Sequence, residues 1–285
     1  MNNHDNLVIL GGRGMLGSDL AARLAQAGHN VTVRDLPECD ITNTEHLHSA
    51  LRDAHTVINC AAFTNVDLAE EQARKAHAVN ATAVGAVGTI AGERGIRVVH
   101  ISTDFVFDGR GATPWRETDA PNPLNVYGQT KLEGERLLQQ SGAEHLIIRV
   151  EWSYGRHGAN FISRLLDKAR SGGELKIVED QIGAPTWTSD MSRAIAALLQ
   201  SRCRGLYHFA NTGYTSRYAM ALFLKQRLGL PNRIVPCLTG EFPVRAERPL
   251  NSRFDLARIQ AELTYSIRPW QEALEDYLAS DPPTG

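Results

Sequence analysis

The sequence predicts an α/β protein: a doubly wound parallel sheet followed by a smaller C-terminal α/β cap. Three observations carry this. Short apolar runs alternate with helix-length segments, the rhythm of strands joined by crossover helices. Runs such as "VVHIS" are apolar on nearly every residue, as strands buried on both faces must be. The first run, "LVIL", leads into a glycine cluster and then a helical pattern, the opening turn of a Rossmann-type sheet.

Taken in order, Leu7–Leu10, Val31–Val33, Thr56–Asn59, Arg97–Ile101 and Leu146–Arg149 read as buried strands. Met15–Ala27, Thr44–Arg52, Val66–Arg94 and Tyr127–Gln140 read as the helices between them. Past residue 150 the alternation loosens. Phe161–Ser171, Ser189–Ser201, Ser216–Leu228 and Pro269–Leu278 have helical patterns, "GLYHFA" reads as one more strand, and "FPVRAERPLNSRFD" is rich in Pro and Arg. The expected division is a first domain over 1–151, with segments near 176–210 returning to it, and a cap over 152–285. The tail "SDPPTG" reads as unstructured.

Hydrophobic residues make up 42% and charged residues 22%, so the chain can bury a core. A net charge of −2 gives no footprint for nucleic acid or an acidic membrane surface. Cys39, Cys60, Cys203 and Cys237 are widely spaced, which points to reduced thiols rather than disulfides or a zinc site. The N-terminal apolar run is too short for a signal peptide or a membrane span, so the expected location is cytoplasmic.

Gly12, Gly14 and Gly17 fit GxGxxG, and Gly11, Gly14 and Gly17 fit GxxGxxG. A glycine cluster alone is a weak signal. Between a strand and a helix it predicts dinucleotide binding, because the free N–H groups and dipole at the helix start favour a pyrophosphate. Met15 and Leu16, which open that helix, join the glycines as cofactor-binding candidates. Asp35, 18 residues past Gly17, stands where an acidic group would meet an adenosine ribose. Its neighbour Arg34 would suit a 2′-phosphate, and Asp40 lies in the same stretch. NADPH is the expected cofactor, with NADH also accepted. The alternative for Arg34 and Asp35 is a solvated pair at a strand end.

Ser102, Thr103 and Asp104 follow the fourth strand, at the carboxyl edge where open α/β sheets bind ligands. The same three residue types also make good turns. Tyr127 and Lys131 stand four apart and share a helix face. A tyrosine titrates near 10, and an ammonium about 4 Å away would contribute up to about 4 kcal/mol at an effective dielectric near 20, or about 3 pKa units. The pair therefore reads as a proton donor with a tuning cation, or else as an ordinary surface Tyr–Lys pair.

Together these motifs resemble an extended short-chain dehydrogenase/reductase. "NCAAFTNVDLAE", "STDFVFDG", "ETDAPNPLNVYGQTKLEGE", "DQIGAPT" and "RPLNSRFD" are similar to the dTDP-4-dehydrorhamnose reductase family, from Leu7 to about Trp270. The resemblance implies NADPH- or NADH-dependent reduction of the C4 ketone of a nucleotide-linked 4-keto-6-deoxysugar. In that reading Tyr127 protonates the developing alkoxide, Lys131 lowers the Tyr127 pKa and holds the nicotinamide ribose, and Thr103 orients the carbonyl. Ser102, Ala61, Ala62 and Thr64 would flank the cofactor, and Asn80 would face the site. Asp104, Phe105 and Trp152 would lie near the sugar, with Asn160, Arg248 and Ser252 as further substrate candidates. Arg248 would pair with the substrate diphosphate, or else make an ordinary surface salt bridge.

The sequence departs from the family pattern in places. Phe105 stands where a Tyr is frequent, and Glu151 where a small hydroxyl residue is common. Asp19 and Ser189 occupy positions at which some relatives carry glutamates that bind Mg²⁺ between subunits. No metal is expected, and the chain would act as a monomer or homodimer. The alternatives are a related sugar-nucleotide ketoreductase, an epimerase or dehydratase, or a non-catalytic dinucleotide-binding regulatory subunit.

Overall fold

Period-two burial decides how the sheet is covered. A computed structural model describes residues 5–241 and 244–280. The last five residues of the expected unstructured tail, and the first two of the Pro- and Arg-rich stretch, lie outside the described residues. The chain runs β1 (Asn6–Leu10), α1 (Met15–Gln26), β2 (Asn30–Arg34), α2 (Thr44–Ala50), β3 (Thr56–Asn59), α3 (Val66–Glu71), α4 (Ala73–His77), α5 (Ala83–Arg94), β4 (Arg97–Thr103), α6 (Val126–Gln140) and β5 (His145–Val150). It continues with β6 (Ser153–Tyr154), α7 (Phe161–Arg170), β7 (Leu175–Val178), β8 (Ile182–Gly183), β9 (Thr186–Trp187), α8 (Thr188–Gln200) and β10 (Gly205–Phe209). The last elements are β11 (Thr215–Ser216), α9 (Arg217–Leu228), β12 (Ile234–Cys237), α10 (Ala257–Glu262) and α11 (Trp270–Ala279).

Six strands form one parallel sheet in the order β10-β5-β4-β3-β1-β2. Alternate residues of β1 point to opposite faces. Leu7 and Ile9 join α1, α8 and α10 through Leu20, Leu24, Ile195 and Ile259. Val8 and Leu10 join α2, α5 and α6 through Leu47, Val87, Ile90 and Leu138. Each fully buried aliphatic side chain contributes about 1.5–3 kcal/mol by leaving water. A third cluster, outside the sheet, packs α7, α9 and α11 around Leu165, Leu224, Leu274, Trp187 and Tyr277. It sits against the small parallel pair β7–β12.

Of the segments expected near 176–210 to return to the sheet, β10 and α8 do so and β7 does not, and a second expectation also changes. β7 pairs with β12, because its alternating Leu175 and Ile177 face the third cluster, while α8 packs on α1 and β10 pairs with β5. The expected helix over Val66–Arg94 is interrupted. Gln72 takes φ −114° and ψ 45°, and Ala78–Thr82 widens into one π-helical turn. Asn80 explains the turn: its buried amide reaches out of the helix to Phe63 and Thr130. Such π turns recur at functional sites.

The chain turns outward from β1 to β2 and returns across β1 to β3. The switch point therefore lies between β1 and β3, where open sheets form their ligand crevice.

Candidate active site

The glycine loop closes directly on that switch point. Gly11 takes φ +70°, and a Cβ there would stand 2.6 Å from the Ala61 nitrogen. A Cβ at Gly17 would stand 2.4 Å from the Gly11 carbonyl oxygen. Only glycine permits these approaches. Gly14 is the N-cap of α1 and no side chain caps that helix. The N–H groups at Met15, Leu16 and Gly17 therefore meet no side-chain acceptor at the positive end of a 12-residue helix. This cradle fits a pyrophosphate.

At the end of β2, Asp35 is tied to the loop: Oδ2 accepts from the Arg13 N–H at 2.8 Å, and Oδ1 accepts from the Leu36 N–H at 2.8 Å. Arg34 is exposed on the edge strand, and its carbonyl accepts from the Gly11 N–H at 2.9 Å. Arg13, which sequence reasoning passed over, places its guanidinium on Glu38 at 2.8 and 3.0 Å and on the Leu36 carbonyl. The signal available for it was an arginine inside the glycine string. Two guanidinium groups at this end suit a phosphate on the adenosine side. Asp40 instead closes a local turn by accepting from the Thr42 N–H and hydroxyl, which hold its carboxyl below the usual range. Ala61 and Ala62 line the crevice half-buried, and Thr64 is exposed.

Across the crevice, β4 runs to Thr103, two residues beyond the expected strand end. The Thr103 hydroxyl donates to Asp104 Oδ1 at 3.0 Å and accepts from the Phe105 N–H at 3.2 Å. Asn125 caps α6 by accepting from the Gly128 N–H, which sets the helix start beside this turn. Tyr127 then packs edge-on against Phe105, ring centroids 5.4 Å apart, and comes close enough to Thr103 to be influenced by its hydroxyl. Burial raises the phenol to about 12; the Thr103 hydroxyl lowers it, and the Asp104 charge raises it.

One turn on, Lys131 is almost fully buried. Its ammonium donates to the Ile101 carbonyl at 2.7 Å and lies 3.2 Å from His100 Nε2. Burial lowers it to about 8, and the Glu135 charge opposes the shift. The ammonium is held on the β4 backbone, and the Asp104 charge raises the phenol.

Other candidates separate into groups. Asp104 is buried beside Ser252, whose hydroxyl donates to its Oδ2; burial raises the carboxyl to about 6. Trp152 is half-buried with φ 44°, a strained value for a bulky residue. Strain of this kind gathers at ligand sites. Ser102 donates to Glu135 and so ties the end of β4 to α6. Asn160 is consumed as the N-cap of α7, accepting from Ile162 and Ser163 and donating to the Gly155 carbonyl at 3.0 Å. Arg248 is held on Asp67 through both guanidinium arms and on the Ala246 carbonyl. Its Nη1 and Nη2 are engaged in this way, and Nε has no hydrogen-bonded partner among the described residues.

Three residues at the site escaped the sequence reading as chemistry. His100 is buried and held below its usual range by desolvation and the nearby Lys131. Arg217 lies over the Trp152 ring at 3.6 Å. Glu151 is buried, accepts from the Ala184 N–H at 2.7 Å, and is raised well above the carboxylate range by burial and then by Asp104.

Residues 5–281 match the family described as RmlD substrate binding domain. The chain is 36% identical to dTDP-4-dehydrorhamnose reductase of Escherichia coli (strain K12), covering 96% of this chain and 97% of the relative. It is 35% identical to spore coat polysaccharide biosynthesis protein SpsK of Bacillus subtilis (strain 168), covering 95% and 96%. Among solved structures, dTDP-4-dehydrorhamnose reductase from Bacillus anthracis in complex with NADP superposes with a TM-score of 0.93 at 30% identity, covering 97% of this chain and 99% of that one. With the match spanning nearly every residue, the chain belongs to the RmlD substrate binding domain family, alongside the dTDP-4-dehydrorhamnose reductases.

Proposed function

We propose that this protein reduces the C4 ketone of dTDP-4-dehydro-L-rhamnose, giving dTDP-L-rhamnose, with NADPH as reductant. The observation that carries the reading is the placing of Tyr127 against Phe105, whose N–H bonds the Thr103 hydroxyl at the sheet's carboxyl edge, in a chain that also builds the glycine cradle. It occurs in a chain similar over its full length to reductases of that name. Gly11, Gly14, Met15, Leu16 and Gly17 hold the pyrophosphate at the start of α1, and Arg13 and Arg34 face the adenosine end. Bound there, NADPH supplies the hydride.

Tyr127 is protonated throughout the neutral range because its pKa is near 12, so it is ready to donate. Its hydroxyl gives a proton to the oxygen as charge develops, and Thr103 orients the same oxygen. Positioned proton transfer of this kind contributes about 10²–10⁴-fold. Fixed donors aimed at the oxyanion add electrostatic stabilisation without reorganisation. Lys131 is cationic below about pH 8 and, packed against β4, keeps a positive charge on the cofactor side. The nucleotide-linked sugar is the small-molecule partner. Among the described residues no helix is long and apolar enough to cross a membrane.

The test is incubation with dTDP-4-dehydrorhamnose and NADPH, following absorbance at 340 nm and identifying the product by NMR. Stoichiometric NADPH oxidation with dTDP-L-rhamnose formed is expected. An isomeric keto sugar formed without net NADPH oxidation would instead support an epimerase. Neither product nor oxidation would leave the dinucleotide-binding regulatory reading.

A further inference from the structure

Arg217 opens α9, the first residue after its N-cap Ser216. A cation there opposes the helix dipole, so the position needs another reason. The guanidinium carbon lies over two rings, 3.6 Å from the Trp152 centroid and 4.8 Å from that of Phe161. Among the described residues it has no hydrogen-bonded partner; Asp104 and Glu151 act on it only through space. The side chain is half-buried, and desolvation lowers it to about 10. With its carbon over aromatic rings and no hydrogen-bonded partner, its N–H groups are left for an oxyanion, which arginine can bind with two parallel hydrogen bonds.

The surroundings give this edge a direction. On one side stands Asp104, which is bonded to Thr103. On the other, Phe161 also walls a cavity of about 220 Å³ lined by Lys168, Lys176, Gln181 and Arg248. Arg217 is therefore placed between the reacting hydroxyls and a basic cavity.

We propose that Arg217 holds the diphosphate of the nucleotide-linked sugar and so fixes how far its ketone lies from Tyr127. This rests on the reductase reading. The diphosphate is the only anionic group of that substrate class, and a ring hydroxyl would not offset the charge of the guanidinium. Arg248, the other arginine suited to the task by sequence, is already spent on Asp67. Phe161 and the lysines beyond it receive the nucleoside end.

The experiment compares the parent with Arg217→Gln and Arg217→Lys, measuring Kd for dTDP, thymidine and NADPH by calorimetry, and KM for the keto sugar. Loss of a charge-assisted bond predicts that Arg217→Gln binds dTDP at least about 10-fold more weakly. Thymidine and NADPH affinities stay within about 2-fold, well under the RT ln 10 of 1.4 kcal/mol. KM for the keto sugar rises with the dTDP Kd, and Arg217→Lys recovers part of both because it keeps the charge and loses the fork. An unchanged dTDP affinity overturns the assignment, including the case in which only the pH profile moves, which would mean that Arg217 merely offsets Asp104 and Glu151. Equal weakening of dTDP and thymidine overturns it as well. A parent that binds no dTDP and oxidises no NADPH overturns the reductase reading itself, whereas an active parent with an unaltered variant overturns this proposal alone.

Discussion

Arg149 grips Glu135 through two parallel bonds, Nε to Oε1 at 2.9 Å and Nη2 to Oε2 at 2.7 Å, with both side chains almost fully buried. Glu135 also accepts from the Ser102 hydroxyl. One carboxylate thus ties α6 to β5 and to the end of β4. Tyr127, Lys131 and Glu135 are spaced four apart, so this tie sets the rotation of the helix that carries the other two. Removing one partner of a buried pair leaves an uncompensated charge, at a cost of about 3–5 kcal/mol. Glu135→Gln should lower unfolding free energy by about that amount in urea titrations. A loss under about 1 kcal/mol would mean the pair is dispensable.

The pH dependence should follow Lys131. Its folded pKa is lowered to about 8, so the ammonium is present below that pH and lost above it. If activity needs the charge, kcat/KM falls as pH rises through about 8. Tyr127, near 12, stays protonated across the same range and cannot cause the fall. A flat profile from pH 7 to 9.5 would remove Lys131 from the account.

Asp104 has the opposite sign of linkage from an ion-paired carboxylate. Its pKa is raised from 3.8 to about 6, so the folded state holds the proton more tightly than the unfolded state. Stability is lost as pH rises through that window, by up to about 3 kcal/mol at 1.36 kcal/mol per unit. Asp104→Asn lacks this loss. Its stability relative to the parent should therefore grow between pH 4 and pH 7.5, as measured by denaturant unfolding at both. A constant difference would show that the carboxyl titrates normally.

The sheet was legible because strands buried on both faces leave continuous apolar runs, and "LVIL", "TVIN" and "VVHIS" became β1, β3 and β4 within a residue or two. The cap was less so. β6, β8, β9 and β11 are two residues long and have no periodicity to detect, and β7 pairs with β12 across more than fifty residues. The helix breaks at Gln72 and Asn80 carry no Pro or Gly; what interrupts them is the reach of Asn80 to Phe63 and Thr130, which is tertiary.

At the site, spacing brought Tyr127 and Lys131 to one face, yet it could not say that the ammonium would bond the Ile101 carbonyl. Ser102, Asn160 and Arg248 have residue types suited to ligands. Each has a nearer partner in Glu135, the start of α7 or Asp67. Arg217 looked like any charge on a helix until its guanidinium was seen over the Trp152 and Phe161 rings.

The central claim is that Tyr127 donates the proton in an NADPH-dependent ketone reduction. The most direct measurement is single-turnover oxidation of NADPH by parent and Tyr127→Phe with saturating dTDP-4-dehydrorhamnose, alongside the NADPH Kd of each. The account predicts at least about 100-fold slower turnover in the variant, the scale of a positioned acid, with cofactor affinity unchanged. A variant that oxidises NADPH as fast as the parent would contradict it.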